Sequence, residues 1–290
     1  MKIGFLILAH HLPNQLKKLI DSLLVIQNSK IYIHIDLKNN KLFSEVKYYF
    51  KDNTRVNFIT EQYKVSWGNY NQIRATYALI KCAVKSNTEN YFMLISGQDF
   101  LIKKPNELIH FFLNNNGKEF LVNFKLPDAQ WADGGLNRLG CFNFNFLKVN
   151  KTLNKVNSLF TIIQYKLNIF RKPYFQQYGG SNWFNLTYQC LNYIHNYIQK
   201  NPKYLSTFKY TLTADEIFIQ SIVMNSEFKN KVVSDDLRYI DWQTGPEFPK
   251  TFTIKDYNKI LNIENKFFAR KFNENIDNEI INRLQHYSAS

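Results

Sequence analysis

The chain has little of what usually staples a small fold together. Its 290 residues include three cysteines, Cys82, Cys141 and Cys190, odd in number and widely spaced. That excludes a fully paired disulfide framework and a Cys-x-x-Cys zinc site, so buried thiols are expected. No apolar run reaches the roughly 18–20 residues of a membrane-spanning helix, and the first residues lack the basic, apolar, small-residue layout of a signal peptide. The expected location is therefore cytoplasmic. None of the twelve aspartates stands two positions from another, so an Asp-x-Asp metal-binding pair is absent. Internal repeats and low-complexity linkers are also missing.

What is present is a large apolar fraction, 45%, with 16% aromatic residues, enough for one sizeable core. The 37 basic residues outnumber the 23 acidic ones, giving a net charge of +14. Such a charge implies an anionic partner: a phosphorylated substrate, a lipid surface or nucleic acid. Nucleic acid is the least expected, because the lysines and arginines are scattered and never form a block of five or six.

The first 125 residues alternate strand and helix. Residues 2–10 are a continuous apolar run, the mark of a strand buried on both faces. Residues 14–25 carry Leu16, Leu19, Ile20, Leu23 and Leu24 at helical spacing, with Asn14 as the expected N-cap. In 31–36, Ile31, Ile33 and Ile35 face one way and Tyr32, His34 and Asp36 the other. Strands are expected at 56–59, 91–95 and 120–124, and helices at 43–50 and 71–84. Beyond residue 126 the texture changes to loops rich in Gly, Asn and aromatics, with a basic and apolar helix at 151–172 that suits a membrane interface or a partly exposed packing face. Helices are expected at 188–199, from 217 onward and at 256–261.

Two pieces in 178–226 stand out. Gly179-Gly180-Ser181-Asn182-Trp183-Phe184 joins a glycine turn to an aromatic shelf, and Thr213-Ala214-Asp215-Glu216 sets an acidic pair at a helix mouth. The second has the form of a capping box, in which Glu216 reaches back to the Thr213 amide. It equally suits a general base. Asp36 and Asp99 both fall at carboxyl ends of strands, where open parallel sheets bind ligands. Lys250, Arg270 and Lys271 could take over the electrostatic task of a metal on phosphate oxygens.

The segments Ile33-His34-Ile35-Asp36, Val65-Ser66-Trp67-Gly68 with Arg74-Ala75, and Leu94-Ile95-Ser96-Gly97-Gln98-Asp99-Phe100 carry a resemblance that continues through Gly180-Ser181-Asn182-Trp183-Phe184, Asp215-Glu216 and Phe268-Ala269-Arg270-Lys271-Phe272. In order and approximate spacing the sequence resembles glycosyltransferase family 14, the core-2/I-branching β-1,6-N-acetylglucosaminyltransferases and peptide O-xylosyltransferases. Ala214 stands where that family usually has proline, and Lys250 matches by distance only. The resemblance implies one GT-A-type α/β domain over 1–290, with a nucleotide-binding half at 1–125 and an acceptor half at 126–290 whose 127–175 segment varies. It implies a UDP-sugar donor, most simply UDP-N-acetylglucosamine, inversion at the anomeric carbon and no divalent metal or other cofactor. Glu216 would be the base. Asp36, Trp67, Lys250, Arg270 and Lys271 would serve UDP, and Asp99, Arg138, Ser181, Trp183 and Asp215 the sugar and acceptor.

Transfer of xylose or galactose is the rival within enzymes, and a silent glycan- or nucleic-acid-binding protein the rival outside them. The charge and the missing signal peptide suggest a bacterial cell-surface glycan growing on a lipid carrier, reached by peripheral contact with the inner face of the membrane.

Overall fold

The apolar run at the amino terminus becomes the middle of a sheet. In a computed structural model describing residues 1–144, 151–173, 175–246 and 248–289, the strands are β1 (Ile3–Ala9), β2 (Ser29–Ile35), β3 (Val56–Phe58), β4 (Tyr91–Ser96), β5 (Asp99–Leu101), β6 (Glu119–Leu121), β7 (Phe124–Lys125), β8 (Tyr178–Gly179), β9 (Phe184–Thr187), β10 (Val232–Val233), β11 (Arg238–Ile240) and β12 (Phe268–Arg270). Seven form the main sheet in the order β10-β6-β9-β4-β1-β2-β3. Strands β1 to β4 are mutually parallel, and β9 runs against both β4 and β6. A second sheet, β11-β12-β5, pairs Arg270 with Asp99 in register.

Burial on both faces explains why β1 reads as an unbroken apolar run. Ile3, Phe5 and Ile7, with Ile31, Ile33 and Ile35 of β2, pack under helices Pro13–Leu24 and Asn278–Ala289. Leu6, Tyr32, Phe92 and Leu94 pack under helices Tyr70–Ser86 and Tyr188–Lys200. The result is a GT-A-type α/β fold, a mixed central sheet between helical layers.

Several local expectations shift. Helix Pro13–Leu24 begins one residue before Asn14, with Leu12 as N-cap at φ 58°, because proline is preorganised for the first helical position. Asn39, not foreseen, caps Asn40–Tyr49 by accepting the Leu42 amide at 3.0 Å. The expected strand at 120–124 breaks after Leu121, and its continuation pairs with β8 in a separate ribbon. Strand β9 was not expected, yet it sits between β4 and β6, so the two halves share one sheet. The part of the Gly- and aromatic-rich stretch falling at 145–150 lies outside the described residues. Cys141 and Cys190 are buried and Cys82 partly so, all three free.

The junction between the halves turns on Gly180. A Cβ there would sit 1.9 Å from the Val122 carbonyl oxygen, and the Gly180 amide donates to the Glu216 carbonyl at 2.9 Å. Gly180→Ala must therefore push the 178–183 segment off β6. The expected cost is about 1–3 kcal/mol or more, read as a lower denaturant midpoint.

Candidate active site

Strands β1, β2 and β4 all end at one edge, followed by His10, Asp36 and Gly97. The Asp36 amide donates to the Ala9 carbonyl at 2.8 Å. Its carboxylate is buried and accepts the Lys38 amide at 2.9 Å and the Val65 amide at 3.3 Å, with the Lys38 ammonium 3.4 Å away. Asp36 therefore ties the 65–68 loop to β2 and offers little free carboxylate.

His10 and His11 stack with ring centroids 4.0 Å apart. Desolvation lowers the His10 pKa, opposed by Asp36 and reinforced by Lys38, Arg270 and Lys271. Desolvation, then His10 and Lys271, push His11 down to about 4. Both rings are thus kept neutral near pH 7 beside a group of cations. Lys271 is half-buried, with no carboxylate within ion-pair distance among the described residues.

A charged cluster sits behind this edge. Asp99 is fully buried. It accepts the Ser96 amide and lies 3.3 Å from Arg238 Nε and 4.0 Å from Arg270 Nε. The Arg238 and Arg270 guanidinium groups lie 4.3 and 4.5 Å from the centre of the Trp183 ring, within cation–π range. Arg238 also donates to the Leu94 carbonyl at 3.0 Å. Asp99 and Trp183, expected to meet sugar, instead hold two arginines. Arg270 is the member that keeps some exposed surface.

Glu216 departs from the capping box. Thr213 has φ 50°, ψ 50° and makes no side-chain cap bond; Ala214–Glu216 form a 3₁₀ turn, and the α-helix starts only at Phe218. A capping box needs an extended N-cap residue, and Thr213 is held otherwise, its amide donating to the Gly68 carbonyl at 3.1 Å. Gly68 itself needs φ 68° and approaches Thr213 closely. The Glu216 side chain points instead to Arg138, whose Nη1 donates to Glu216 Oε2 at 2.5 Å and to Thr213 Oγ1 at 2.8 Å. The Arg138 guanidinium lies 3.8 Å from the centre of the Trp131 ring. Arg138 thus positions Glu216, whose side chain remains one-third exposed.

The other acid faces inward. Asp215 Oδ2 accepts from Gln72 at 2.6 Å, while Gln72 Oε1 accepts the Gly68 amide at 3.0 Å. Asp215 Oδ1 is buried without a hydrogen bond among the described residues. Burial, with the Glu216 charge adding to it, pushes the Asp215 carboxyl up to about 7.

The remaining expected site residues scatter. Ser181 donates to Asp236 at 2.7 Å, Lys250 is committed to Asp256 at 2.7 Å, and Trp67 is 78% exposed. Sequence reasoning missed Arg238, Gln72 and the His10–His11 pair. The one available signal was an arginine at the start of the stretch 237–242, among Leu237, Tyr239, Ile240 and Trp242.

The carboxyl edge of the sheet thus carries cations, and a partly exposed carboxylate is tied to that edge through 180–183. The chain belongs to the Core-2/I-Branching enzyme family, whose sequence profile matches residues 3–265. Among curated relatives it is similar to a xylosyltransferase of Ciona intestinalis, 22% identical over 87% of this chain and 30% of that protein. It is also similar to rat xylosyltransferase 2, 23% identical over 99% of this chain and 34% of that protein, and to human xylosyltransferase 1, 23% identical over 99% and 30%. The chain thus spans about a third of the length of these relatives. Similar solved structures include HddC from Yersinia pseudotuberculosis, 16% identical over 65% of this chain and 78% of that one with a TM-score of 0.33. Another is the 4-diphosphocytidyl-2C-methyl-D-erythritol synthase of Anaerococcus prevotii, 11% identical over 80% and 88% with a TM-score of 0.37.

The raised Asp215 carboxyl has a pH signature. Its contribution to stability is complete below the unfolded value near 3.8 and is lost as pH rises through about 7, because the native state must then ionise a buried acid. Asp215→Asn, which still accepts from Gln72, should gain melting temperature relative to wild type as pH goes from 5 to 8. A difference independent of pH would place that carboxyl in the ordinary range.

Proposed function

We infer that the chain transfers a sugar from a UDP-sugar to a glycan hydroxyl with inversion, Glu216 acting as general base. The observation that carries this reading is the pairing of family membership with a carboxylate that is one-third exposed and fixed by Arg138. Its neighbour Asp215 is buried and cannot reach a ligand, so the acidic pair divides into one working and one structural acid.

In the proposed step the acceptor oxygen attacks the anomeric carbon while the bond from that carbon to the UDP oxygen breaks. The electron pair leaves with UDP, and the acceptor proton passes to Glu216. Charge develops on the diphosphate as the bond opens, so cations there act chiefly on the transition state. Lys271 is the best-placed cation, with Arg270 beside it. Lys250 is the weaker candidate, since using it means breaking its ion pair with Asp256. Neutral His10 and His11 line the same edge as hydrogen-bonding groups. No divalent metal is required in this scheme.

For the donor, the resemblance to N-acetylglucosaminyltransferases favours UDP-N-acetylglucosamine, and the names of the curated relatives favour UDP-xylose. Hydrolysis of a panel of UDP-sugars separates the two.

Glu216→Gln keeps an acceptor for Arg138 and should leave the melting temperature nearly unchanged while lowering turnover by about 10²–10⁴. Transfer at the wild-type rate would remove Glu216 from the chemistry. UDP in the presence of EDTA should raise the melting temperature, since a ligand at about a hundred times its Kd stabilises the native state by about 2.7 kcal/mol. Lys271→Gln should shrink that rise, and a rise seen only with added Mn²⁺ would replace the metal-free scheme.

A further inference from the structure

Helix Lys151–Lys166 is turned inside out. Among its described side chains, from 155 onward, those it buries are polar: Asn157 Oδ1 accepts the Phe144 amide at 2.9 Å, and Gln164 clamps Phe142 through both its amide atoms, at 2.7 and 3.2 Å. Its outer face is apolar. Leu159 is 58% and Ile162 52% exposed, and Leu167 just beyond the helix is 63% exposed, with Val156, Ile163 and Ile169 also bare. A surface helix normally buries the opposite stripe, and contiguous exposed apolar side chains mark a contact surface.

The charge around this face is predominantly basic; Asp133, to which Tyr165 donates, is the acid held against the helix among the described residues. Between Asp133 and Asp215 lie 81 residues with no aspartate or glutamate and ten lysines or arginines. Lys155, Lys166 and Lys172 are exposed on or next to the helix. Apolar side chains rimmed by lysines are the composition of a helix lying in the headgroup layer of a bilayer. A second copy of the chain fits less well, because it would bring two predominantly basic faces together.

We propose that the outer face of residues 155–172 docks on an anionic lipid bilayer. The apolar side chains enter the boundary of the acyl chains and the lysines meet lipid phosphates. The helix is also tied to the candidate base. Arg171, five residues past the last helical lysine, donates to the carbonyls of Cys141 and Thr207 and to Thr211 Oγ1. The clamped 138–144 segment carries Arg138, the partner of Glu216. If the transfer reading holds, on which this last step rests, docking holds the segment that carries Arg138, and with it Glu216, near the lipid surface, where a lipid-linked hydroxyl would be presented.

The test is co-sedimentation with vesicles of phosphatidylcholine containing about 30% phosphatidylglycerol, against phosphatidylcholine alone, at low and high salt. Wild type should bind the anionic vesicles at least about tenfold more tightly and lose that margin in high salt. Leu159→Gln, Ile162→Gln and Leu167→Gln combined should weaken binding at least about tenfold and leave the melting temperature unchanged, since these side chains are exposed. Absence of wild-type binding at low salt would overturn the proposal, as would equal binding by the triple variant. So would a wild-type dimer in analytical ultracentrifugation that the triple variant dissolves, which would assign the face to a second copy. Sedimentation needs no turnover, so membrane binding without sugar transfer would count against the transfer reading alone.

Discussion

The hydrogen bond from the Gly180 amide to the Glu216 carbonyl is the constraint on which the site depends. It forms because Gly180 has no Cβ and can lie against the Val122 carbonyl at the end of β6. On one side of it the chain runs through Ser181 to Trp183 and the arginines of the second sheet. On the other it runs into the 3₁₀ turn carrying the acidic pair. The backbone position of the candidate base is therefore set by the edge of the central sheet, and its side chain by Arg138 and Thr213. Placing a carboxylate on a short turn held from two directions leaves it exposed yet oriented, which a position inside a regular helix would not do.

The electrostatics follow a related logic. Asp99 is buried with Oδ1 at ion-pair distance from Arg238 and Arg270 but without a hydrogen bond among the described residues, while Oδ2 accepts the Ser96 amide. Removing one partner of a buried pair commonly costs about 3–5 kcal/mol, so this cluster is better understood as a fixture than as a binding surface. Asp99 and Asp236 both act on the buried Arg238, which leaves the partly exposed Arg270 to present its charge at the sheet edge beside Lys271. The Trp183 ring, which the resemblance assigned to the sugar and acceptor, supports those guanidinium groups.

Much of the frame was legible in the sequence, because burial on both faces writes itself as unbroken apolar runs, although the alternation at 31–36 marks no exposed face, since Tyr32, His34 and Asp36 are buried too. The strands at 2–10, 31–36 and 91–95 follow from that physics. Strand β9 did not, because four residues including Asn185 and Thr187 carry neither pattern; its place depends on partners more than sixty residues away. The candidate base was visible as a residue, but its environment was not. The Thr-Ala-Asp-Glu spacing satisfies a capping box locally, and only the long-range contact with Gly68 turns Thr213 to positive φ and frees Glu216 for Arg138. The cationic partners were partly visible. Arg270 and Lys271 stood out as a pair, whereas Arg238 lay hidden in a strand whose register with β12 no local pattern reveals.

The acid-free stretch from 134 to 214 links these observations. Inside the molecule its cations are spent on carbonyls, hydroxyls and a single carboxylate: Arg171 gathers the 138–144 and 207–211 segments, and Arg138 pairs with Glu216 from the following segment. With no acid of its own, the stretch offers no competing partner for Arg138, so the ion pair it makes is with the candidate base. The same lack of acids leaves the outer lysines unneutralised next to an apolar helix face. One compositional feature thus leaves Arg138 to pair with the candidate base and keeps the lysines beside the apolar helix face without an acid from their own stretch.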